Sequence, residues 1–297
     1  MPTSGSAAVN GQELHFEVEG EGDPLVLVMG IGYDSSIWKL HQAAALARHF
    51  RVVLFDNRDS GRSSRASGPY TIADMADDVA GLLDTLAVER AHLLGLSMGS
   101  MIGQEFALRH PDRLGRLVLC GSGAAPARSA FDPIGIWSWV KTHDTTGEVF
   151  AAQQFVWLFS SRFLRDGMAV RQVMALLASN PHPVGADAYA RQAQAYERHD
   201  VLDRLPGITA PTLVVAGEQD LLTPPWISEE VARAIPGARL EVIPGEGASH
   251  LVMLERPEEF NRVVTTFLTN APAGGNVGVG HEVDETAIAS AVSPRSR

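Results

Sequence analysis

The sequence predicts an α/β protein built on a mostly parallel, doubly wound sheet, and three observations carry that prediction. Short Val/Leu-rich runs recur at residues 24–30, 51–55, 91–96, 116–123, 211–217 and 240–245. They are near-continuous and not alternating, as strands buried on both faces are. Helix-compatible stretches separate them, and such alternation folds through right-handed crossovers that leave ligand sites beyond the carboxyl ends of the strands.

Ahead of these runs, "AAVNGQELHFEVEG" sets an Asn10-Gly11 turn between two strand-like segments, the pattern of an amino-terminal β-hairpin. After "PLVLVMG" and "RVVLF", Thr71 and Asp74 have capping-box spacing, and Met75, Val79, Leu82, Leu83 and Leu86 recur at helical spacing. This segment is expected to be an amphipathic helix covering the sheet. "AHLLGL" supplies the next strand, and the helical pattern "MGSMIGQEFALRH" follows it at once.

The rhythm breaks after "RLVLCGSG", where about 85 residues separate Gly123 from Gly207, too many for a bare loop. Trp137, Trp139, Phe155, Trp157, Phe159 and Phe163 fall in this helix-compatible interval. A helical cap over residues 124–206, inserted after the sixth strand, is expected, with most of these aromatics forming its own core. Residues 1–123 and 207–270 then form the α/β core. The tail, 271–297, is small, polar and aperiodic and is expected to be disordered.

Composition narrows the function classes. Apolar residues at 45% and charged residues at 20% of a 297-residue chain suit one large core or a domain with an insertion. A net charge of −11 without any Lys/Arg block argues against nucleic acid and against anionic membranes, both of which need clustered positive charge. Cys120 is the single cysteine, set in an apolar run and read as a buried core residue. The amino terminus lacks the basic and apolar regions of a secretion signal, and no run is long enough to span a bilayer, so a cytoplasmic protein is expected. Ten scattered histidines show neither His-Glu-x-x-His nor a Cys-x-x-Cys companion. No metal site and no cofactor are expected.

The chemistry concentrates at Gly95-Leu96-Ser97-Met98-Gly99. A serine between glycines at a strand-to-helix junction fits a strained turn that lifts its Oγ above the sheet, with a helix amino terminus behind it. The Met98 N–H is then positioned to stabilise an oxyanion. A serine hydroxyl needs a base oriented by a carboxylate. Downstream, "PTLVVAG" is followed by Glu218-Gln219-Asp220, and "LEVIPG" by Glu246-Gly247-Ala248-Ser249-His250, in the chain order serine, acid, histidine.

With these residues in view, the chain resembles the α/β-hydrolase family over about residues 10–270. Met29-Gly30-Ile31-Gly32 resembles the family's His-Gly-x-Gly oxyanion turn, which implies Ile31 N–H as the second donor. "DNRDSGRS" at 56–63 resembles its Asp-x-Arg-Gly-x-Gly-x-Ser segment, and "GEQD" with "GASHLVMLERPEEF" resembles its acid and histidine loops. Met29 stands where a histidine is usual and Asp59 where a glycine is usual. The resemblance implies Asp220 over Glu218 as the acid, and His250 over His92 or His110 as the base. Asp56 and Arg58 are read as residues that brace a loop without touching substrate, and Glu255 and Arg256 as loop-anchoring charges.

Ser97 sets the chain apart from members with an aspartate at the elbow, such as haloalkane dehalogenases and epoxide hydrolases. The stretches "GLSMGSMIGQEFALRHPDRL" and "HLVMLERPEEF" resemble 3-oxoadipate enol-lactonase-type proteins, and "FDNRDSGRS" also resembles aclacinomycin methylesterase-type proteins. The implied activity is hydrolysis of a small-molecule ester or lactone through Ser97, His250 and Asp220, with Gly30, Trp137 and Trp157 as candidate substrate contacts. Three alternatives stay open: a cofactor-independent perhydrolase or haloperoxidase-type activity, a carbon–carbon bond hydrolase, and a ligand receptor with negligible turnover.

Overall fold

The computed structural model describes residues 3–125, 133–144 and 147–270; the tail beyond 270, expected to be disordered, lies outside them. The chain opens with β1 (Thr3–Val9) and β2 (Gln12–Glu19), paired antiparallel through the Asn10-Gly11 turn. Both turn residues have positive φ, 48° and 76°, the conformation in which Asn-Gly closes a two-residue hairpin without splaying its strands. β3 (Pro24–Val28), the short helix α1 (Ala43–Leu46), β4 (Arg51–Phe55) and α2 (Ile72–Thr85) follow. The capping box at the start of α2 is formed: Asp74 N donates to Thr71 Oγ1 at 3.1 Å, and Thr71 N donates to Asp74 Oδ2 at 2.8 Å.

β5 (Ala91–Leu96) then runs into α3 (Met98–Arg109), and β6 (Leu114–Cys120) comes next. Between β6 and β7 the chain makes α4 (Pro133–His143), α5 (Glu148–Leu158), α6 (Ser161–Arg165), α7 (Gly167–Ala178) and α8 (Ala186–Glu197). β7 (Thr212–Gly217), α9 (Pro225–Ala234), β8 (Arg239–Ile243), α10 (Val252–Glu255) and α11 (Pro257–Thr269) complete the described chain.

The eight strands form one sheet in the order β1-β2-β4-β3-β5-β6-β7-β8. Only the β1–β2 and β2–β4 pairings are antiparallel; the rest are parallel. Every residue of β5, β6 and β7 is buried, which is why their sequences are predominantly apolar and do not alternate; His92, Arg116 and Thr212 are the exceptions. The Cys120 thiol lies in this layer, where burial pushes its pKa well up. Among the described residues no helix is long and apolar enough to cross a membrane.

The aromatics between β6 and β7 divide by environment. Phe155, Phe159 and Phe163 pack together, with the last two stacked at 4.0 Å. Trp139 is exposed and stacks on His143. Trp137 is fully buried, and Trp157 is partly buried against the main core.

Candidate active site

The elbow is built by close approach. A Cβ on Gly95 would lie 2.2 Å from Gly99 O, and one on Gly99 would lie 2.2 Å from Val28 O, so only glycine lets β5, α3 and β3 meet here. Ser97 between them has φ 55° and ψ −122°, a backbone conformation that costs a non-glycine residue about 1–3 kcal/mol. The surrounding sheet holds it there: Ser97 N donates to Cys120 O at 2.8 Å. Among the described residues the Ser97 hydroxyl has no hydrogen-bond partner, and it faces a cavity that His250 also lines.

His250 arrives on the loop after β8 and is buried. Its Nδ1 lies 2.8 Å from Asp220 Oδ2 and 2.9 Å from Thr223 Oγ1. Asp220 is itself buried and held: its Oδ1 accepts from Leu222 N at 2.9 Å and Thr223 N at 2.8 Å, and its Oδ2 accepts from Thr223 Oγ1 at 3.1 Å. A carboxylate so surrounded is an acceptor only, so the proton between the two residues sits on Nδ1 and Nε2 is left with its lone pair. Glu218 points elsewhere, accepting from Gly245 N at 2.6 Å, where it ties the ends of β7 and β8 together.

Two site positions carry no signal in the sequence motifs. Thr223 touches both His250 and Asp220, but a threonine three residues after an acid is unremarkable as sequence. Gly121, at the end of β6, has φ +54°, and a Cβ there would lie 2.9 Å from His250 Cε1. Its positive φ and the imidazole beside it both demand glycine, yet in the sequence it is one glycine of several in "CGSG".

The loop after β3 supplies the other wall. Gly30 lies against the serine, with a built Cβ 3.2 Å from Ser97 Cβ. Among the described residues neither Ile31 N–H nor Met98 N–H is taken by another group of the protein. The loop is fixed on both flanks: Asn57 Nδ2 donates to Met29 O at 3.0 Å, and Gly32 N donates to Gln192 Oε1 at 2.9 Å. The bond from Asn57 goes to a main-chain oxygen, so it is available whatever side chain occupies position 29.

Two cavities flank Ser97 and share Ile31, Ser97 and Leu222 as their common wall. One is bounded by Tyr33, Trp137, Gln154, Leu158 and His250. The other is bounded by Met101, Gly121, Ile134, Tyr196 and Thr223. Of the candidate substrate contacts, Gly30 and Trp137 line the first cavity, whereas Trp157 lines neither. Gln154 and Leu158, four residues apart on α5, share the cavity face, and Trp157 lies beside that face.

The remaining candidates are braces or core. Asp56 accepts from Ser35 N, Ser35 Oγ and Arg62 N. Arg58 makes a buried bidentate pair with Asp78 at 2.6 and 2.7 Å. Glu255 accepts from Ser160 and Ser249, and Arg256 donates to the carbonyls of Pro244 and Glu246. His110 pairs with Asp77. His92 is a core histidine whose burial pulls its pKa down to about 4, and its Nδ1 has no partner. Among the described residues no cluster of three or more His, Cys, Asp or Glu side chains is placed to hold a metal ion.

Fold and site together define an α/β protein with a strand–serine–helix elbow facing a buried histidine–aspartate pair. The chain belongs to the alpha/beta hydrolase fold family, whose sequence model matches residues 23–257. It is 32% identical over 274 residues to the "Putative carbamate hydrolase RutD" of Caulobacter sp. (strain K31), covering 90% of this chain and 99% of that one. Its fold is similar to that of the enol-lactonase from Burkholderia xenovorans LB400, with TM-score 0.80, 33% identity, and coverage of 89% and 100% of the two chains. It is also similar to a thermophilic esterase from Thermogutta terrifontis, with TM-score 0.77, 32% identity, and coverage of 90% and 98%. These three relatives act, by their names, on three different kinds of acyl bond, so the family supports hydrolysis and leaves the substrate to the pocket.

Proposed function

We propose that the protein is a serine hydrolase that cleaves a carboxylic ester or lactone of a small to medium lipophilic substrate through an acyl-enzyme. The observation that carries this reading is the hydrogen bond from His250 Nδ1 to Asp220, which leaves Nε2 as a base in the cavity faced by the strained Ser97. In the first step His250 Nε2 takes the Ser97 proton while Oγ attacks the carbonyl carbon. The carbonyl oxygen becomes an oxyanion, and the Ile31 and Met98 N–H groups with the amino terminus of α3 stabilise it. The tetrahedral intermediate collapses as His250 passes its proton to the leaving alcohol oxygen. Water, deprotonated by the same nitrogen, then attacks the acyl-enzyme and releases the acid. The helices between β6 and β7 act as a cap in this reading, since Ile134, Trp137, Gln154 and Tyr196 close the space above Ser97.

The carbamate-hydrolase relative favours a second acyl class, because a carbamate carbonyl is open to the same attack. A panel of simple aryl esters, lactones and carbamates ranks the classes. The mechanism itself is tested by intact-mass analysis after treatment with a fluorophosphonate. One adduct on Ser97, and a loss of several powers of ten in turnover for Ser97→Ala, are expected. An adduct elsewhere, or an active Ser97→Ala protein, refutes the assignment.

A further inference from the structure

The cavity that holds Ser97 and His250 is walled by Met29, Leu96, Leu158, Leu222 and Leu251, yet two nitrogen donors lie in that apolar lining. The first belongs to Gln154, which is buried. Its Oε1 accepts from Tyr33 Oη at 2.9 Å. Burial pushes the Tyr33 hydroxyl's pKa up, so the phenol stays protonated and donates. That bond orients the carboxamide, and among the described residues its Nε2 donates to no group of the protein. The second donor is the indole of Trp137, also buried, whose Nε1 has no partner. Buried donors are almost always satisfied, and an unsatisfied buried indole beside a carboxamide nitrogen that has no protein partner, on residues lining one cavity, calls for an acceptor from outside the chain.

We propose that Gln154 and Trp137 form a donor pair that selects neutral substrates carrying a second carbonyl oxygen near the scissile acyl group. This rests on Ser97 being the nucleophile, and it adds the substrate class. The acceptor is neutral because, among the described residues, no Lys or Arg lines the cavity. A buried carboxylate facing only neutral donors, in a chain of net charge −11, would lose its hydration with no cation to replace it. A ketone or amide oxygen loses far less hydration than a carboxylate, and the two donors offset that loss. Tyr33 acts through Gln154 and is a positioning residue.

The test compares pairs that differ by one oxygen. On the acyl side the probes are methyl pentanoate, methyl 4-oxopentanoate and monomethyl succinate; on the alcohol side they are isobutyl acetate and 2-oxopropyl acetate, all followed by pH-stat. The quantity read is the ratio of kcat/KM within each pair, compared between wild type, Gln154→Met and Trp137→Phe, so the intrinsic reactivity of each ester cancels. In at least one pair the preference for the oxo-ester should fall about tenfold in Gln154→Met, the worth of one well-formed hydrogen bond, and by a smaller factor in Trp137→Phe. Monomethyl succinate should be the poorest acyl substrate. Trp137→Phe keeps the ring in place, so the proposal remains testable if Gln154→Met does not fold. Unchanged ratios in every folded variant, or monomethyl succinate as the best acyl substrate, overturn the proposal. If wild-type Ser97 is labelled by a fluorophosphonate and the ratios do not move, this inference alone fails; if Ser97 is not labelled, the hydrolase reading fails with it.

Discussion

Replacing Thr223 with valine removes one hydroxyl and keeps the shape of the side chain. That hydroxyl lies 2.9 Å from His250 Nδ1 and 3.1 Å from Asp220 Oδ2. Its proton goes to Asp220, so its lone pair faces the Nδ1 proton, which is shared with Asp220 Oδ2 at 2.8 Å. Loss of the hydroxyl leaves the main His250–Asp220 bond and the two backbone donors to Oδ1 in place. What disappears is a bond to a charged acceptor, slightly longer than the usual range, together with the contact to the shared Nδ1 proton, worth about 1–2 kcal/mol in sum. In the proposed mechanism His250 carries the serine proton and a positive charge in the transition state, so its orientation matters most there.

The expected result is a fall in kcat of about 5–30-fold, from 1.4 kcal/mol per factor of ten. KM should stay nearly constant because the isosteric valine preserves the wall of the second cavity that Thr223 lines. Steady-state hydrolysis of a p-nitrophenyl ester by wild type, Thr223→Val and Thr223→Ser measures both constants. Serine keeps the hydroxyl and should retain most of the rate. Should valine match wild type, or serine lose as much as valine, Thr223 does not position His250 and the sharing of Nδ1 is incidental.

Two further predictions follow from the same geometry. Gly121→Ala combines a positive φ with a Cβ placed 2.9 Å from His250 Cε1, so it should cost about 1–3 kcal/mol in a urea melt and depress kcat by displacing the imidazole; wild-type behaviour in both assays would show that the loop yields without effect. His92 and His199 are buried, and burial pulls each pKa from 6.5 down to about 4. The unfolded chain therefore binds their protons first, and the stability they contribute is present above pH 6.5 and is lost as pH falls toward 4. Each should cost about 2 kcal/mol between pH 7.5 and pH 5; urea midpoints at the two pH values measure the loss, and a slope unchanged in His92→Gln would exclude His92 as a source.

Which features the sequence disclosed follows from the range of the interactions that make them. The hairpin turn and the capping box of α2 are local, each set by residues within a few positions, and each is formed as its pattern implies; the glycines around Ser97 are legible from their spacing, although the backbone that Gly99 approaches, Val28 O, is distant in sequence. Ser97, Asp220 and His250 are far apart in sequence but sit in loops after strands, and a parallel sheet brings such loops to one edge. Thr223 and Gly121 could not be read because their meaning depends on a contact with His250, a residue 27 positions from the first and 129 from the second. The insertion was legible as a helical interval, but its facing was not. Trp137, Trp139 and Trp157 are equally aromatic in sequence, and only helix packing sends the first into the cavity wall, the second to solvent and the third, partly buried, against the core.

The two departures from the family pattern in the loops meet in one structural device. Asp59, standing where a glycine is usual, has φ 68°, which accounts for the usual glycine; aspartate is one of the few other residues that tolerates this region. It is fully buried, and its carboxylate accepts two bonds from Arg191 at 2.6 and 2.8 Å and one from Ala66 N at 3.0 Å. The next residue of α8, Gln192, bonds to Gly32 N, Arg58 O and Ser60 Oγ. Adjacent side chains of one helix thus grip the segment around Asp59 and the turn that carries Ile31. On the opposite flank the Met29 carbonyl is held by Asn57 of that same segment. The position of the Ile31 N–H is therefore set on one side by α8 and on the other by the 57–60 segment that α8 grips, so the helices over the strand ends shape the loop after β3 as well as the pocket. A charge at position 59 trades the backbone freedom of glycine for a specific tie to Arg191, and the loop gains a fixed geometry from a helix about 160 residues away in sequence.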